Sequence, residues 1–184
     1  MEVEKALNTF WTDVIIGAKK NLKKDDKVAS KALFNSLEYN VKVSKNSFET
    51  SFSMEDYGIY VEQGVKGIGG KKANGDTWKL KKFSSKTFFS SSPFKYKTGI
   101  ENKPSSKHFD KWTIRKGIAP RTKGGQFTTR KGINAAISQS VWHTGLLSTH
   151  FFSIPFEKEF KELPEKLVEA YGLTVDKLLQ LSLA

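Results

Sequence analysis

The chain has 184 residues, of which 38% are hydrophobic and 12% aromatic, and its net charge is +12. This length predicts a single domain over residues 1–184, and the aromatic content excludes a disordered composition. The absence of cysteine excludes disulfides, thiol nucleophiles and thiolate metal sites. The sequence has no apolar run of about 18 residues, so we expect no transmembrane helix, and the acidic, amphipathic N-terminus does not resemble a signal peptide.

The positive charge is concentrated in the middle of the chain. Residues 65–132 contain 18 Lys/Arg and 3 Asp/Glu, a net charge of +15, whereas the remaining residues sum to −3. This stretch is also rich in glycine and serine, and it is predicted to be a long basic loop excursion, partly ordered by its aromatic residues. The charge predicts a polyanionic neighbour, either nucleic acid or an acidic protein face, and a solvated lysine-rich loop is the plainer alternative.

The N-terminal third predicts a helix followed by a hairpin. Residues 2–24 form an amphipathic pattern with apolar positions at Val3, Leu7, Phe10, Trp11, Val14, Ala18 and Leu22. Asp25-Asp26 ends the pattern, and a short helical stretch is expected within residues 27–36. Alternation of apolar and polar residues then predicts two strands, over residues 37–43 and 48–54, joined by a tight turn at Lys45-Asn46.

Short elements are predicted in the middle of the chain. Residues 57–63 are expected to form a helix or strand that ends at Gly64, and residues 107–116 one short helix. Helical spacing recurs over residues 133–143.

The C-terminal part predicts an extended segment followed by helices. Pro155 indicates that residues 146–156 are extended and buried. An amphipathic helix is expected over residues 157–171, with a new start at Pro164 and a cap at Gly172, before a last helix over residues 175–183 that Thr174 begins. The predicted fold is therefore α+β, with an N-terminal amphipathic helix, a small antiparallel β-hairpin, a long basic loop insertion and C-terminal helices.

The sequence contains few of the residue patterns that are typical of catalytic sites. His108, His143 and His150 lie in no HExxH or HxH arrangement, so structural or surface roles are favoured. The glycine-rich segment 67–72 lacks the GxxxxGK[ST] spacing of a phosphate loop. Glu62 stands out among the carboxylates because its segment is apolar, and we expect it to accept a hydrogen bond or salt bridge at a subunit contact. The sequence predicts no enzyme activity, cofactor or metal.

Basic and aromatic residues are interleaved at three places, residues 78–83, 94–97 and 111–116. This arrangement suits contact with a nucleic-acid backbone combined with base stacking, and equally a protein interface with aromatic anchors. The predicted docking residues of the basic loop are Lys71, Lys72, Trp78, Lys81, Lys82, Trp112, Arg115 and Arg121.

Several short segments resemble the head–tail connector (neck) or tail-completion proteins of tailed bacteriophages. Residues 57–64, Tyr-Gly-Ile-Tyr-Val-Glu-Gln-Gly, resemble a central Tyr-Ala-x-Tyr-Val-Glu-x-Gly motif, with Gly58 for the usual alanine. Residues 30–37 stand where the family has a small-Gly-x-Leu-x-x-Ser element, here without its glycine. Residues 111–118 and 145–155 resemble two further stretches.

The resemblance implies a structural virion protein that forms a ring of about six or twelve copies at the phage neck or upper tail, assembled in the host cytoplasm without a membrane partner. Its implied partners are other copies of the chain and neighbouring portal, connector or tail proteins, with contact to packaged DNA left open. Subunit contacts are predicted at Phe10, Trp11, Tyr57, Tyr60, Glu62, Phe151 and Phe152. The alternative is a non-sequence-specific nucleic-acid-binding protein that uses the basic, aromatic middle region.

Overall fold

The computed structural model describes residues 2–28, 30–44, 47–72, 76–78, 92–119, 121, 124–127 and 129–182, without the side chains of residues 173–178 and 181–182. The fold class is α+β, as predicted. The chain divides into two compact units: unit 1 comprises residues 1–25, 32–55 and 151–184, and unit 2 comprises residues 26–31 and 56–150. A single domain over the whole chain remains a prediction. No described helix combines the length and the hydropathy needed to span a membrane.

Unit 1 is built around its first helix. Helix α1 spans Glu2–Lys24, and all seven apolar positions predicted from the sequence are buried. Glutamates occupy its first turn and lysines its last, which matches the direction of the helix dipole. A short helix, α2 (Ala32–Asn35), lies within the stretch for which the sequence predicts helical structure.

The predicted β-hairpin is confirmed in unit 1. Strand β1 (Glu38–Val43) pairs antiparallel with β2 (Phe48–Ser53), in a register that runs from Glu38↔Ser53 to Val43↔Phe48. One face of the hairpin packs on the core through Tyr39, Val41, Val43 and Phe52. The turn predicted at Lys45-Asn46 lies outside the described residues.

Trp11 is the meeting point of the elements of unit 1. Its ring lies 6.0 Å from Phe52 and 6.3 Å from Tyr39 of the hairpin, both nearly parallel to it, and 6.0 Å from Phe156 of the C-terminal helix. Phe10 contacts it edge-on at 5.2 Å. Aromatic rings bury large apolar areas in preferred geometries, so this cluster holds the hairpin and two helices together.

The C-terminal helix corrects three predictions. Helix α6 is continuous over Ser153–Ser182. The extended segment predicted over residues 146–156 therefore ends before Ser153. Pro164 begins no new helix, and neither Gly172 nor Thr174 marks a helix boundary. Packing of Leu163 and Ala170 in the core favours continuation of the helix over the break that Pro164 favours locally. Pro155 is tolerated because the first turn of a helix needs no N–H donor there.

Unit 2 contains α3 (Gly58–Gln63), β3 (Val65–Lys66), 3₁₀ turns at Ile100–Asn102 and Ser106–Phe109, α4 (Asp110–Arg115), α5 (Arg130–Thr144) and β4 (Gly145–Leu146). Strands β3 and β4 pair antiparallel. The helix predicted over residues 107–116 is thus a 3₁₀ turn followed by α4, and the helix predicted over residues 133–143 is confirmed in α5. The described part of the predicted basic excursion therefore contains regular elements.

The buried face of α5 is polar, which hydrophobic spacing did not indicate. Asn134, Ser138 and Trp142 recur every fourth residue and are buried. Asn134 Nδ2 donates to Asp110 Oδ1 at 3.2 Å, Ser138 Oγ donates to the Pro104 carbonyl, and Trp142 Nε1 donates to the Lys97 carbonyl at 3.0 Å. One face of one helix thereby holds three separate segments of unit 2.

Alanine at Gly17 should destabilise unit 1. A Cβ at this position would lie 2.6 Å from the Pro155 Cβ, where α1 approaches the start of α6. We expect Gly17→Ala to lower the free energy of unfolding by about 1–3 kcal/mol because the two backbones must separate. Urea denaturation followed by circular dichroism measures the change.

Gly172→Ala is the matched control within α6. Its Cβ would meet nothing within 4 Å. Because alanine favours the helix over glycine, this variant should raise the free energy of unfolding by up to about 1 kcal/mol. An unchanged midpoint for Gly17→Ala would contradict the close approach of α1 and α6.

Candidate functional site

The segment with the most specific sequence pattern forms α3. The Tyr57 carbonyl accepts the N–H of Tyr60 at 3.1 Å, which closes the first turn. At the other end of the helix, Gly64 takes a positive φ of 72° and its carbonyl accepts the Ser92 hydroxyl at 2.7 Å. Helix α3 therefore ends at a glycine, the residue type that most easily adopts a positive φ, and a hydrogen bond from Ser92 holds this end in place.

The segment that precedes α6 supports α3 from the side. The Thr149 hydroxyl donates to the Val61 carbonyl at 2.9 Å, and the His150 N–H donates to the Glu62 carbonyl at 3.1 Å. Two sequence segments that carry the family resemblance, residues 57–64 and 145–150, thus meet in unit 2. Their contact was not predictable from spacing, because they are more than 80 residues apart in the sequence.

Glu62 and His150 form a buried pair beneath α3. Only 6% of Glu62 and 3% of His150 is exposed, and His150 Nδ1 lies 3.8 Å from Glu62 Oε1. His150 also has a left-handed backbone, with φ 49°, which is uncommon for a residue with a side chain. The predicted salt-bridge partner of Glu62 is therefore available within the chain, and the prediction of a subunit contact at Glu62 stays untested.

The outer side of α3 presents an apolar surface, which we call the α3 patch: Tyr57, Ile59 and Tyr60. These side chains are 40%, 39% and 44% exposed. Tyr60 is oriented by an edge-on contact with Phe94, whose ring centroid lies 4.7 Å away. The patch combines exposed aromatic area with a firmly bonded backbone, the combination that anchors protein interfaces.

The other predicted interface residues lie in the interior of unit 1. Phe10, Trp11 and Phe151 are each 6% exposed or less. Phe152 is half-buried and stacks on Phe52 at 4.2 Å. Of the predicted set, Tyr57 and Tyr60 therefore have the most surface to offer a partner, while these four phenylalanine and tryptophan side chains hold unit 1 together.

Three of the docking residues predicted in the basic loop, Lys71, Lys72 and Trp78, lie close together. Lys71 pairs with Thr77, and the Trp78 N–H donates to the Gly70 carbonyl at 2.9 Å. The Trp78 ring stacks on His143 at 5.1 Å with 5° between the planes, and the Lys72 Nζ lies 5.2 Å from the Trp78 ring. Trp78 is thereby held by its neighbours in unit 2. Lys81 and Lys82 lie outside the described residues.

His143 is a residue whose positioning role the sequence pattern did not specify. Its Nδ1 donates to the Gly69 carbonyl, and Gln139 Nε2 lies 2.7 Å from its Nε2. Gln139 is four residues before His143, on the same face of α5. The i, i+4 spacing was a signal that could have suggested this contact, whereas the stack on Trp78 is a tertiary contact.

The remaining predicted docking residues lie on or near α4. Trp112 is 38% exposed and Arg115 is exposed at the end of the helix. The Arg121 guanidinium lies 4.3 Å from the Phe127 ring centroid, and Arg121 and Phe127 also form a backbone bridge.

Beside α4 lies a concave surface of about 400 Å³. We call it the arginine groove and define it by Ile114, Ile118, Ala119, Phe127 and Arg130 of its lining, together with Arg121, which packs on Phe127. It combines apolar side chains with arginines.

No group of three or more His, Cys, Asp or Glu side chains that could hold a metal ion occurs within the described ranges. No protein-family model matches this chain, and neither a curated protein nor a solved structure is significantly similar to it. The family resemblance therefore rests on the short motifs themselves.

The buried contact of α4 with α5 predicts a large stability effect. Thr113 is fully buried, and its hydroxyl lies 3.1 Å from Asn134 Oδ1 and 2.9 Å from the Asp110 carbonyl, two acceptors that share its single proton. We expect Thr113→Val to lower the free energy of unfolding by about 1–3 kcal/mol, because a buried acceptor loses its donor. Denaturant unfolding followed by tryptophan fluorescence measures this loss.

Non-additivity is the control for the Thr113 prediction. The double variant Thr113→Val/Asn134→Leu should lose less free energy of unfolding than the sum of the losses in the two single variants, because each single variant already removes the contact between these side chains. Additive losses would mean that the two side chains do not act together.

Proposed function

We propose that this chain is a structural virion protein that forms a ring at the neck of a tailed bacteriophage, as a head–tail connector or tail-completion protein that joins portal-side and tail-side components. The ring consists of copies of this chain in contact around the DNA channel. The observation that carries the proposal is the α3 patch, an exposed apolar surface formed by the segment with the family-like motif.

The physical argument concerns adhesion between copies. An exposed aromatic cluster on a rigid backbone loses little conformational entropy when a partner covers it. If the patch meets a different surface of the next copy, the contact is heterologous and repeats around an axis until the ring closes. Support for α3 from Thr149 and His150 keeps its orientation fixed, and closure of a ring needs a constant angle between neighbours.

The second candidate is a non-sequence-specific nucleic-acid-binding protein. The observation that favours it is the net charge of +15 over residues 65–132, together with the exposed Trp112 and Arg115 on α4. Such a protein binds duplex DNA with an affinity that falls steeply as salt rises, because each phosphate contact releases counterions. Native mass spectrometry with and without DNA separates the two functions.

Loss of the α3 patch should abolish ring formation. We expect wild-type protein to form closed rings at moderate salt, and Ile59→Asn to remain monomeric because it puts an amide into the apolar contact. Mass photometry of both proteins, at low and moderate salt and with duplex DNA, measures the outcome. Circular dichroism confirms that the variant is folded.

Ile100→Asn is the matched control, since Ile100 is 73% exposed in a 3₁₀ turn outside the α3 patch. This variant should form rings like the wild type. Rings that persist in Ile59→Asn would show that the patch does not join the copies. Wild-type monomers that bind DNA tightly at low salt and release it as salt rises would replace the ring proposal with the nucleic-acid function.

A further inference from the structure

We propose that the arginine groove binds an acidic, amphipathic protein segment, with a bulky apolar side chain of that segment in the groove and its carboxylates on the arginine rim. This inference rests on the proposed function, because it names the chemistry of the neighbouring component on which the ring docks. It concerns a surface different from the α3 patch.

The floor of the groove is apolar and accessible. Ile114 is 53% exposed and Phe127 is 71% exposed, and both line the cavity together with Ile118 and Ala119. Exposed apolar side chains are ordinary when scattered, but here they surround one concavity. Burying an apolar side chain of a partner in it removes apolar area from water on both sides.

The rim of the groove is cationic. Arg130 lines the cavity, and Arg121 lies against Phe127 with its guanidinium 4.3 Å from the ring centroid. Both arginines are exposed. A guanidinium presents planar N–H donors that match the two oxygens of a carboxylate, and its stack on Phe127 holds Arg121 at the edge of the apolar floor.

The start of α5 adds to the positive potential. Helices usually begin with acidic residues, as α4 does with Asp110, because the N-terminal end of the helix dipole is positive. Helix α5 instead begins with Arg130 and Lys131 and has no acidic residue in its first turn. Arg130 and the positive end of the helix dipole therefore repel one another at the groove, and an anionic partner relieves this repulsion.

The apolar floor favours a protein partner over nucleic acid. A phosphate backbone gains from the arginines but nothing from a concave surface of Ile114, Ile118 and Ala119. Arg121 lies on one face of the Phe127 ring, so a base could stack only on the other face. A segment with glutamates or aspartates around a phenylalanine or leucine satisfies both the rim and the floor.

The test uses full-length protein and two fluorescent peptides in an anisotropy titration. One peptide is glutamate-rich and contains one phenylalanine and one leucine, and the other has the same charge with both anchors replaced by serine. We expect the anchored peptide to bind about tenfold more tightly. Arg130→Glu and Ile114→Asn should each weaken its binding about tenfold.

Lys97→Glu is the matched control for Arg130→Glu, because it changes the net charge equally at an exposed lysine of unit 2 that does not line the groove. It should change binding by no more than about twofold, an effect of long-range charge alone. Arg121→Glu repeats the test at a second rim residue, in case Arg130→Glu disturbs the start of α5.

Equal affinity for the two peptides overturns the proposal. So does an equal loss of affinity for the anchored peptide in Lys97→Glu and Arg130→Glu. Displacement of the anchored peptide by duplex DNA also overturns it. Mass photometry on the same samples separates the two ideas. Rings that bind neither peptide overturn the groove inference alone. Monomers that bind the anchored peptide overturn the ring proposal alone.

Discussion

Unit 2 depends on the hydrogen bonds made by the buried face of α5. Among its described residues, only Val65 and Trp142 are buried hydrophobic side chains, so apolar packing alone does not account for its order. Asn134, Ser138 and Trp142 instead fix α4 and the segments around residues 97 and 104 by directional bonds. A buried donor or acceptor that loses its partner costs more free energy than a hydrogen bond contributes net, so such a network specifies one arrangement. The α4 side chains of the arginine groove take their positions from it.

The two units are stabilised by different kinds of interaction. Unit 1 has an aromatic and aliphatic core in which α1 packs against the hairpin and α6. It contains 11 Lys/Arg and 13 Asp/Glu, whereas unit 2 contains 20 and 6. Self-repulsion in unit 2 opposes compactness, and a polyanionic or acidic neighbour reduces that repulsion. The proposed contacts with a partner lie in this more basic unit, where the α3 patch and the arginine groove are both located.

The proposed assembly depends on the α3 patch and the arginine groove. The α3 patch is apolar and aromatic and offers exposed area to a partner, whereas the groove offers both an apolar floor and the charge of its arginines. The buried Glu62 and His150 support α3 from within unit 2, and His143 is held by Gly69 and Gln139. His143 thus has hydrogen-bond partners that account for its position, whereas both ring nitrogens of His150 are buried without a hydrogen-bond partner among the described residues. In the proposed ring, the patch joins copies and the groove receives the next component.

Hydrophobic periodicity by itself determined α1, the hairpin and their buried residues, because each of these elements is amphipathic over its own length and its pattern is local. It also located α5, and the count of charged residues located the basic middle region. Tertiary packing decided the continuity of α6, since burial of Leu163 and Ala170 outweighs the local preference of Pro164. It also decided the polar face of α5, the contact of residues 57–64 with Thr149 and His150, and the inward position of Phe10, Trp11 and Phe151. An aromatic residue in a sequence can serve a core or an interface equally well, and only the positions of distant segments determine which side of it faces water.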